Sequence, residues 1–122
     1  LALKDGLMAK AETLNGLQFI SARVSINDQA ALKNLAAQID NELGNAVIVF
    51  GAVINDKPMV MVTISKSLVE GKKLHAGNMV RELAKEIDGG GGGQANFASA
   101  GGKNAAGLDQ AVAKARELVL VS

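Results

Sequence analysis

Residues 46–65 run AVIVFGAVINDKPMVMVTIS, and how this stretch folds settles the architecture of the chain. Ala46 to Ile54 is a nearly unbroken apolar run, rich in β-branched residues and bounded by turn formers. That is the pattern of a central strand covered on both faces. Asn55-Asp56-Lys57-Pro58 makes a turn, and Met59 to Ser65 returns as the hairpin partner. Pro58 sits at the first position of the returning strand, where it does not interrupt the ladder.

Working outward toward the N-terminus, Ile20, Ala22, Val24 and Ile26 alternate with Phe19, Ser21, Arg23 and Ser25, the period of a strand. Asn27 or Asp28 then caps a helix with the stripe Leu32, Leu35, Ala36, Ile39 and Leu43, which Gly44 stops. Leu3, Leu7, Ala11 and Leu14 recur at helical spacing, so residues 1–14 are expected to be a helix ended by Asn15-Gly16. It is either the tail of an upstream helical segment or a helix docked on this domain. Toward the C-terminus, residues 66–73 form a polar connection. Ala76, Met79, Val80, Leu83, Ala84 and Ile87 then give the clearest amphipathic stripe in the chain. Phe97 to Ala100 suits a short edge strand, and a final helix buries Leu108, Ala111, Val112, Ala115, Leu118 and Val119. The expected fold class is α/β or α+β: one domain with a mixed β-sheet of about four strands packed with helices, preceded by a linker helix.

Between the last two helices lies the run Gly89-Gly90-Gly91-Gly92-Gly93-Gln94. Seven of the 14 glycines fall in residues 88–102. Glycine loses the most backbone freedom on ordering, so such a run inside a domain costs stability. One reading is a flexible connector. The other is a loop whose bare N–H groups let an anionic or polynucleotide partner approach with no Cβ in the way. The run follows a helix rather than a strand, so it is not a dinucleotide fingerprint. No Gly-Lys-Ser/Thr closes it as a P-loop.

Composition narrows the function further. Lys and Arg number 13 against 12 Asp and Glu, a net charge of +1, which is low for a protein that grips nucleic acid by charge alone. Any polyanion contact must come from a local basic patch. The chain has no cysteine, hence no disulfide framework, zinc–thiolate cluster or thiol nucleophile. No apolar run approaches the roughly 20 residues of a membrane helix. A reducing cytoplasm is the expected compartment.

Catalytic chemistry is poorly represented. His75 is the only histidine, on the polar side of a helix, and the carboxylates are scattered. Binding is better supported, because Lys66, Lys72, Lys73, Arg81, Lys85 and Lys103 surround the glycines in sequence. His75, Asn78, Arg81 and Lys85 fall at spacings of three, three and four, along one helix face. Glu82 and Glu86 share that side, so an ordinary mixed-charge surface is the competing reading. With no Trp or Tyr and three Phe, base stacking is not the expected mode. Phe97 either stacks on a base or packs in the core.

The segments His75-Ala76-Gly77-Asn78-Met79-Val80-Arg81-Glu82-Leu83-Ala84, Gly89 to Gln94, and Ala98-Ser99-Ala100-Gly101-Gly102 resemble the C-terminal domain of alanyl-tRNA synthetases, of the DHH-associated domain family. The family pattern commonly runs Gly-Gly-Lys-Gly-Gly-Gly-Arg-Pro-Asp-Met-Ala-Gln-Ala-Gly-Gly. Here Asp88 replaces the first glycine, Gly90 the lysine, Gln94 the arginine, Ala95 the proline and Asn96 the aspartate. Two basic side chains are thereby lost, while backbone contact is untouched.

The resemblance implies that residues 1–16 end a helical linker, which can mediate a homodimer. Residues 17–122 would be the domain that engages the outer corner of alanine-specific tRNA and supports aminoacylation and editing by other domains. It implies no catalysis and no cofactor in this segment, with ATP and zinc belonging to those other domains. The partners implied are tRNA and the rest of the synthetase, with no membrane. The expected RNA-binding residues are Lys72, Lys73, His75, Asn78, Arg81, Lys85, Gly89, Gly90, Gly91, Gly92, Gly93, Gln94 and Lys103. One alternative is the same domain on a DHH phosphoesterase, where a histidine typically follows the glycine cluster; Gln94 stands there instead. Another is a purely structural or dimerisation module, which would be favoured by packing of the basic helix face against Leu3 and Leu7.

Overall fold

A computed structural model describes residues 2–72 and 74–120. Its elements are α1 (Ala2–Ala9), β1 (Glu12–Leu14), β2 (Leu17–Arg23), α2 (Gln29–Leu43), β3 (Ala46–Ile54), β4 (Lys57–Ile64), α3 (Lys66–Lys72), α4 (Ala76–Ala84), β5 (Gly90–Gly93), β6 (Phe97–Gly101) and α5 (Leu108–Leu120). The strands form one six-stranded sheet in the order β1-β2-β3-β4-β6-β5. β2 and β3 are parallel, joined through α2, and every other pair is antiparallel.

The apolar hairpin is the middle of that sheet. Alternate residues of β3 feed two separate cores. Val47 and Val49 join α4 and α5 on one face, and Ile48, Phe50 and Ala52 join α2 on the other. Asn55 and Asp56 both have positive φ, 52° and 64°, the two-residue turn whose twist suits a hairpin. Gly51 is where α5 touches the strand directly. A Cβ there would lie 2.8 Å from Val112 Cγ2 and 3.0 Å from Leu108 Cδ1. Ser21 Oγ donates to the Val112 carbonyl at 2.6 Å and ties α5 to β2 as well.

The caps of α2 fall where the sequence places them. Asp28 accepts from the Ala30 N–H at 2.9 Å and the Ala31 N–H at 3.3 Å, and Gly44 closes the helix at φ 74°. Ser65 then locks three elements together. Its Oγ accepts from the Ala46 N–H at 2.8 Å and donates to Asp40 Oδ1 on α2.

Three expectations need correction. The first helix stops at Ala9 rather than Leu14, because Asn15 and Gly16, at φ 50° and 82°, are the turn of a hairpin that makes Glu12–Leu14 an edge strand. Residues 66–72 are helical rather than an irregular connection. Leu68 and Val69 donate to the Ser65 carbonyl, and Leu68 is buried against the core. The sheet has six strands instead of about four, since Glu12–Leu14 and the glycine run itself both pair into it. As a result β6 lies inside the sheet and β5 is the edge.

Candidate nucleic-acid interface

The sequence assembles a surface around α4 and β5 from backbone as much as from side chains. α4 lies along β5 and β6. Its buried stripe is Ala76, Gly77, Met79, Val80, Leu83 and Ala84, which leaves the face of Asn78, Arg81 and Lys85 outward. His75 is the N-cap, with Nδ1 accepting from the Asn78 N–H at 3.1 Å. Asn78 Oδ1 accepts in turn from Arg81 Nη1 at 3.2 Å, so the guanidinium is held toward the helix start. Asn78, Arg81, Glu82 and Lys85 line an open depression of about 380 Å³.

Two carboxylates were expected on this face, and they separate. Glu82 stays, 2.6 Å from Lys85 Nζ, whose hydrogen bond and charge hold the Glu82 carboxyl below the usual carboxylate range. Glu86 turns to Lys114 on α5 at 3.6 Å. The outward face therefore carries one acid against Arg81 and Lys85.

The glycine run is anchored, not free. The Gly89 N–H donates to the Ala84 carbonyl at 2.9 Å, and the Ala76 and Gly77 N–H groups donate to the Ala95 and Gln94 carbonyls at 2.8 and 3.2 Å. Between those ties Gly90–Gly93 pairs with β6 in the register Gly90↔Gly101 to Gly93↔Ala98. This corrects the expectation of a loop at 89–93.

The glycines then divide by what a side chain would meet. At Gly91 a Cβ would come within 2.5 Å of the Ser99 carbonyl oxygen and 2.6 Å of Ala100 Cα. At Gly93 it would lie 2.7 Å from the Phe97 carbonyl oxygen, and at Gly89 it would overlap the Gly101 backbone. These three are glycine because β6 is in the way. At Gly90 a Cβ meets nothing within 4 Å, and at Gly92 only Arg81 Nε at 3.8 Å. Gly90, where the family pattern carries lysine, thus has room for one. Gly92 lies bare beneath the Arg81 guanidinium.

The expected site residues accordingly fall into two groups. His75, Asn78 and Arg81 lie on α4 beside Gly92, Gly93 and Gln94, toward the end of β5 tied to the start of the helix, while Lys85 closes α4 near its second tie, Gly89 to Ala84. Lys103, Gly89 and Gly90 sit at the opposite end of β5, in an open cleft of about 650 Å³ also lined by Asp56, Lys57, Asp88, Gly101 and Gly102. Lys72 is the last residue of α3. Lys73 lies outside the described residues. Lys57 and Asp56 escaped sequence reasoning because they are more than 30 positions from Gly89. Only the β4–β6 pairing, with the Gly102 N–H donating to the Pro58 carbonyl at 3.0 Å, brings them there.

Phe97 packs with the α2-side core, its ring 4.7 Å from Lys33 Nζ, on the face of the sheet away from α4. Leu7 also belongs to the α2-side core, so α4's outward face does not pack on it. Among the described residues no three His, Cys, Asp or Glu side chains gather, and no helix is long and apolar enough to cross a membrane.

This arrangement, a helix lying beside a glycine edge strand, can be compared with known proteins. The DHHA1 domain matches residues 16–120. The chain belongs to the DHHA1 domain family. This DHHA1 chain is 46% identical over 117 residues to an alanine–tRNA ligase of Christiangramia forsetii and 37% identical over 113 residues to that of Bacillus subtilis. Those alignments take in 96% and 93% of the chain but 13% of each ligase's length. The C-Ala domain from Aquifex aeolicus alanyl-tRNA synthetase superposes with a TM-score of 0.80 at 26% identity, covering 91% of this chain and 98% of that one. A protein described as a member of the s1p family of ribosomal proteins, PF0399 DHH domain, shares the fold at a TM-score of 0.58 and 15% identity, covering 93% of this chain and 30% of that one.

Proposed function

We propose that this DHHA1 domain is the tRNA-binding C-terminal domain of an alanine–tRNA ligase, working in the cytoplasm. It docks the outer corner of alanine-specific tRNA through the α4 face and the bare strand β5, and so supports aminoacylation and editing by other domains of the ligase. The observation that carries the reading is the 46% identity spanning nearly the whole chain and 13% of a ligase. A surface suited to the task supports it: Arg81 stands over Gly92, a position with no internal reason to lack a side chain. Guanidinium and exposed main chain together suit phosphate and ribose contact.

Catalysis, ATP and zinc belong in this reading to the other domains. α1 is the end of the helical linker. It rests on α2 through Leu7 and the Lys4–Glu42 pair at 2.6 Å, while Leu3, 48% exposed, remains available to a second copy.

The test is titration of labelled alanine-specific tRNA transcript with the chain at low and moderate salt. Weak binding that falls with salt is expected, because few phosphate contacts release few counterions. Absence of binding at low salt, or binding indifferent to salt, rejects the proposal.

A further inference from the structure

The cleft at the far end of β5 lies outside the α4 face and is built from the ends of β4, β5 and β6 with the turn before β4. Gly90 and Gly101 are cross-strand partners. Neither has a left-handed φ, a Cβ at Gly90 would meet nothing within 4 Å, and one at Gly101 would meet only the Pro58 carbonyl oxygen at 3.9 Å. Their immediate neighbours differ, since side chains at Gly89 and Gly102 would run into the backbone of Gly101 and Ile87. The fold therefore requires glycine beside the cleft floor but leaves the floor itself bare without needing to.

Lys57, the first residue of β4, and Lys103, after β6, line this floor and are exposed. Asp56 and Asp88 line it too, yet among the described residues neither lysine forms an ion pair. Among those residues Lys4, Arg23, Lys85, Lys114 and Arg116 take carboxylate partners, whereas Lys57 and Lys103, like Arg81 on the α4 face, do not, although two carboxylates line the same cleft. The cleft thus holds two uncommitted cations and two uncommitted acceptors. Its lining charges cancel, so a bare anion gains little from it. A ligand that presents an anion and hydroxyl donors together uses every group. A ribose–phosphate unit does so: lysine ammoniums take the phosphate, and the carboxylates accept from the 2′-hydroxyl.

We infer that the Asp56–Lys57–Asp88–Lys103 cleft is a second RNA contact that holds a ribose–phosphate unit and distinguishes RNA from DNA. It rests on the tRNA-binding reading and extends its footprint. Gly90 and Gly92 are two residues apart, about 7 Å along an extended strand, so one nucleic-acid strand spans both this cleft and Arg81.

The experiment compares the wild-type chain with Lys57→Ala, Lys103→Ala, Asp56→Asn and Asp88→Asn, using alanine-specific tRNA transcript and its all-deoxy analogue over a salt series. Thermal melts verify folding, and all four positions are exposed. Each lysine variant is expected to lose about fivefold to tenfold in tRNA affinity and about one unit of salt slope. Each aspartate variant is expected to narrow the preference for tRNA over the deoxy analogue. Lysine variants that bind as the wild type does, while Arg81→Glu weakens binding, overturn this inference and leave the functional reading standing. Loss in the lysine variants with no change in the RNA preference of the aspartate variants overturns the ribose assignment. A wild-type chain that binds no tRNA at low salt removes both readings.

Discussion

Two of the sheet's three hairpins are built from opposite materials. β3–β4 is dominated by Val, Ile, Met and Phe and, away from its turn, buried on both faces, and its two cores together fix which side each residue faces. β5–β6 pairs four glycines with Phe-Ala-Ser-Ala-Gly at the edge, where the ladder and the ties of Gly89 and Gln94–Ala95 to α4 do the holding. The difference teaches that an edge strand needs no side chains of its own when both ends are fastened. What that arrangement leaves open is main chain accessible to a partner.

Breaking the comparison starts at its most buried point. Phe50→Ala removes a fully buried ring from the α2-side core and is expected to cost about 3–5 kcal/mol in urea unfolding. Should the loss match that of an exposed residue, the central hairpin is not the anchor of the fold. Next comes Gly91→Val, whose side chain would drive into the β6 backbone; about 2–3 kcal/mol of stability and the β5 pairing should go with it. Amide exchange at Ser99 and Gly101, the β6 residues whose N–H groups face β5, reads the pairing, and protection equal to the wild type would refute the packing reason for that glycine.

Gly92→Val sharpens the contrast, since its Cβ reaches only the flexible Arg81. Stability should stay within about 0.5 kcal/mol of wild type. Affinity for tRNA should fall about tenfold, or about 1.4 kcal/mol. Unchanged affinity makes β5 merely a connector. Arg81→Glu should weaken binding at least as much without unfolding the chain.

The smallest effect concerns Lys85→Ala. Loss of its ammonium lets the Glu82 carboxyl return upward to the ordinary range, as a carbon-detected NMR titration reads directly. A lowered carboxylate pKa stabilises the fold above the unfolded value and ceases to do so as pH drops through the folded one. The difference in melting temperature between variant and wild type therefore closes in acid. A Glu82 that titrates unaltered excludes Lys85 as the cause.

The same contrast explains what the sequence disclosed. Periodicity placed β2, α2 and its caps, β3, β4, α4 and α5, because each buries side chains at a regular interval. It failed on β1, where Leu3, Leu7, Ala11 and Leu14 counterfeit one helical stripe. In the structure Leu7 enters the α2-side core and Leu14 the opposite one, so the stripe splits across the sheet. α3 carries too few apolar residues to declare itself, and β5 has no side chains to show a period. The α4 half of the site was visible as a helix face. The Lys57 half depended on a strand register that no local pattern encodes.

Gly51 carries a mechanical implication of its own. The thickness of the domain at its centre is set by an atom that is not there, for α5 comes to rest on the main chain of β3. Filling that gap acts as a wedge under the first turns of the helix, and the strain is delivered to its far end, where the Val119 and Leu120 carbonyls meet Asn15 Nδ2. A methyl group at residue 51, which pairs with Arg23 at the far end of β2, should thus loosen the β1–β2 turn at the other end of that strand.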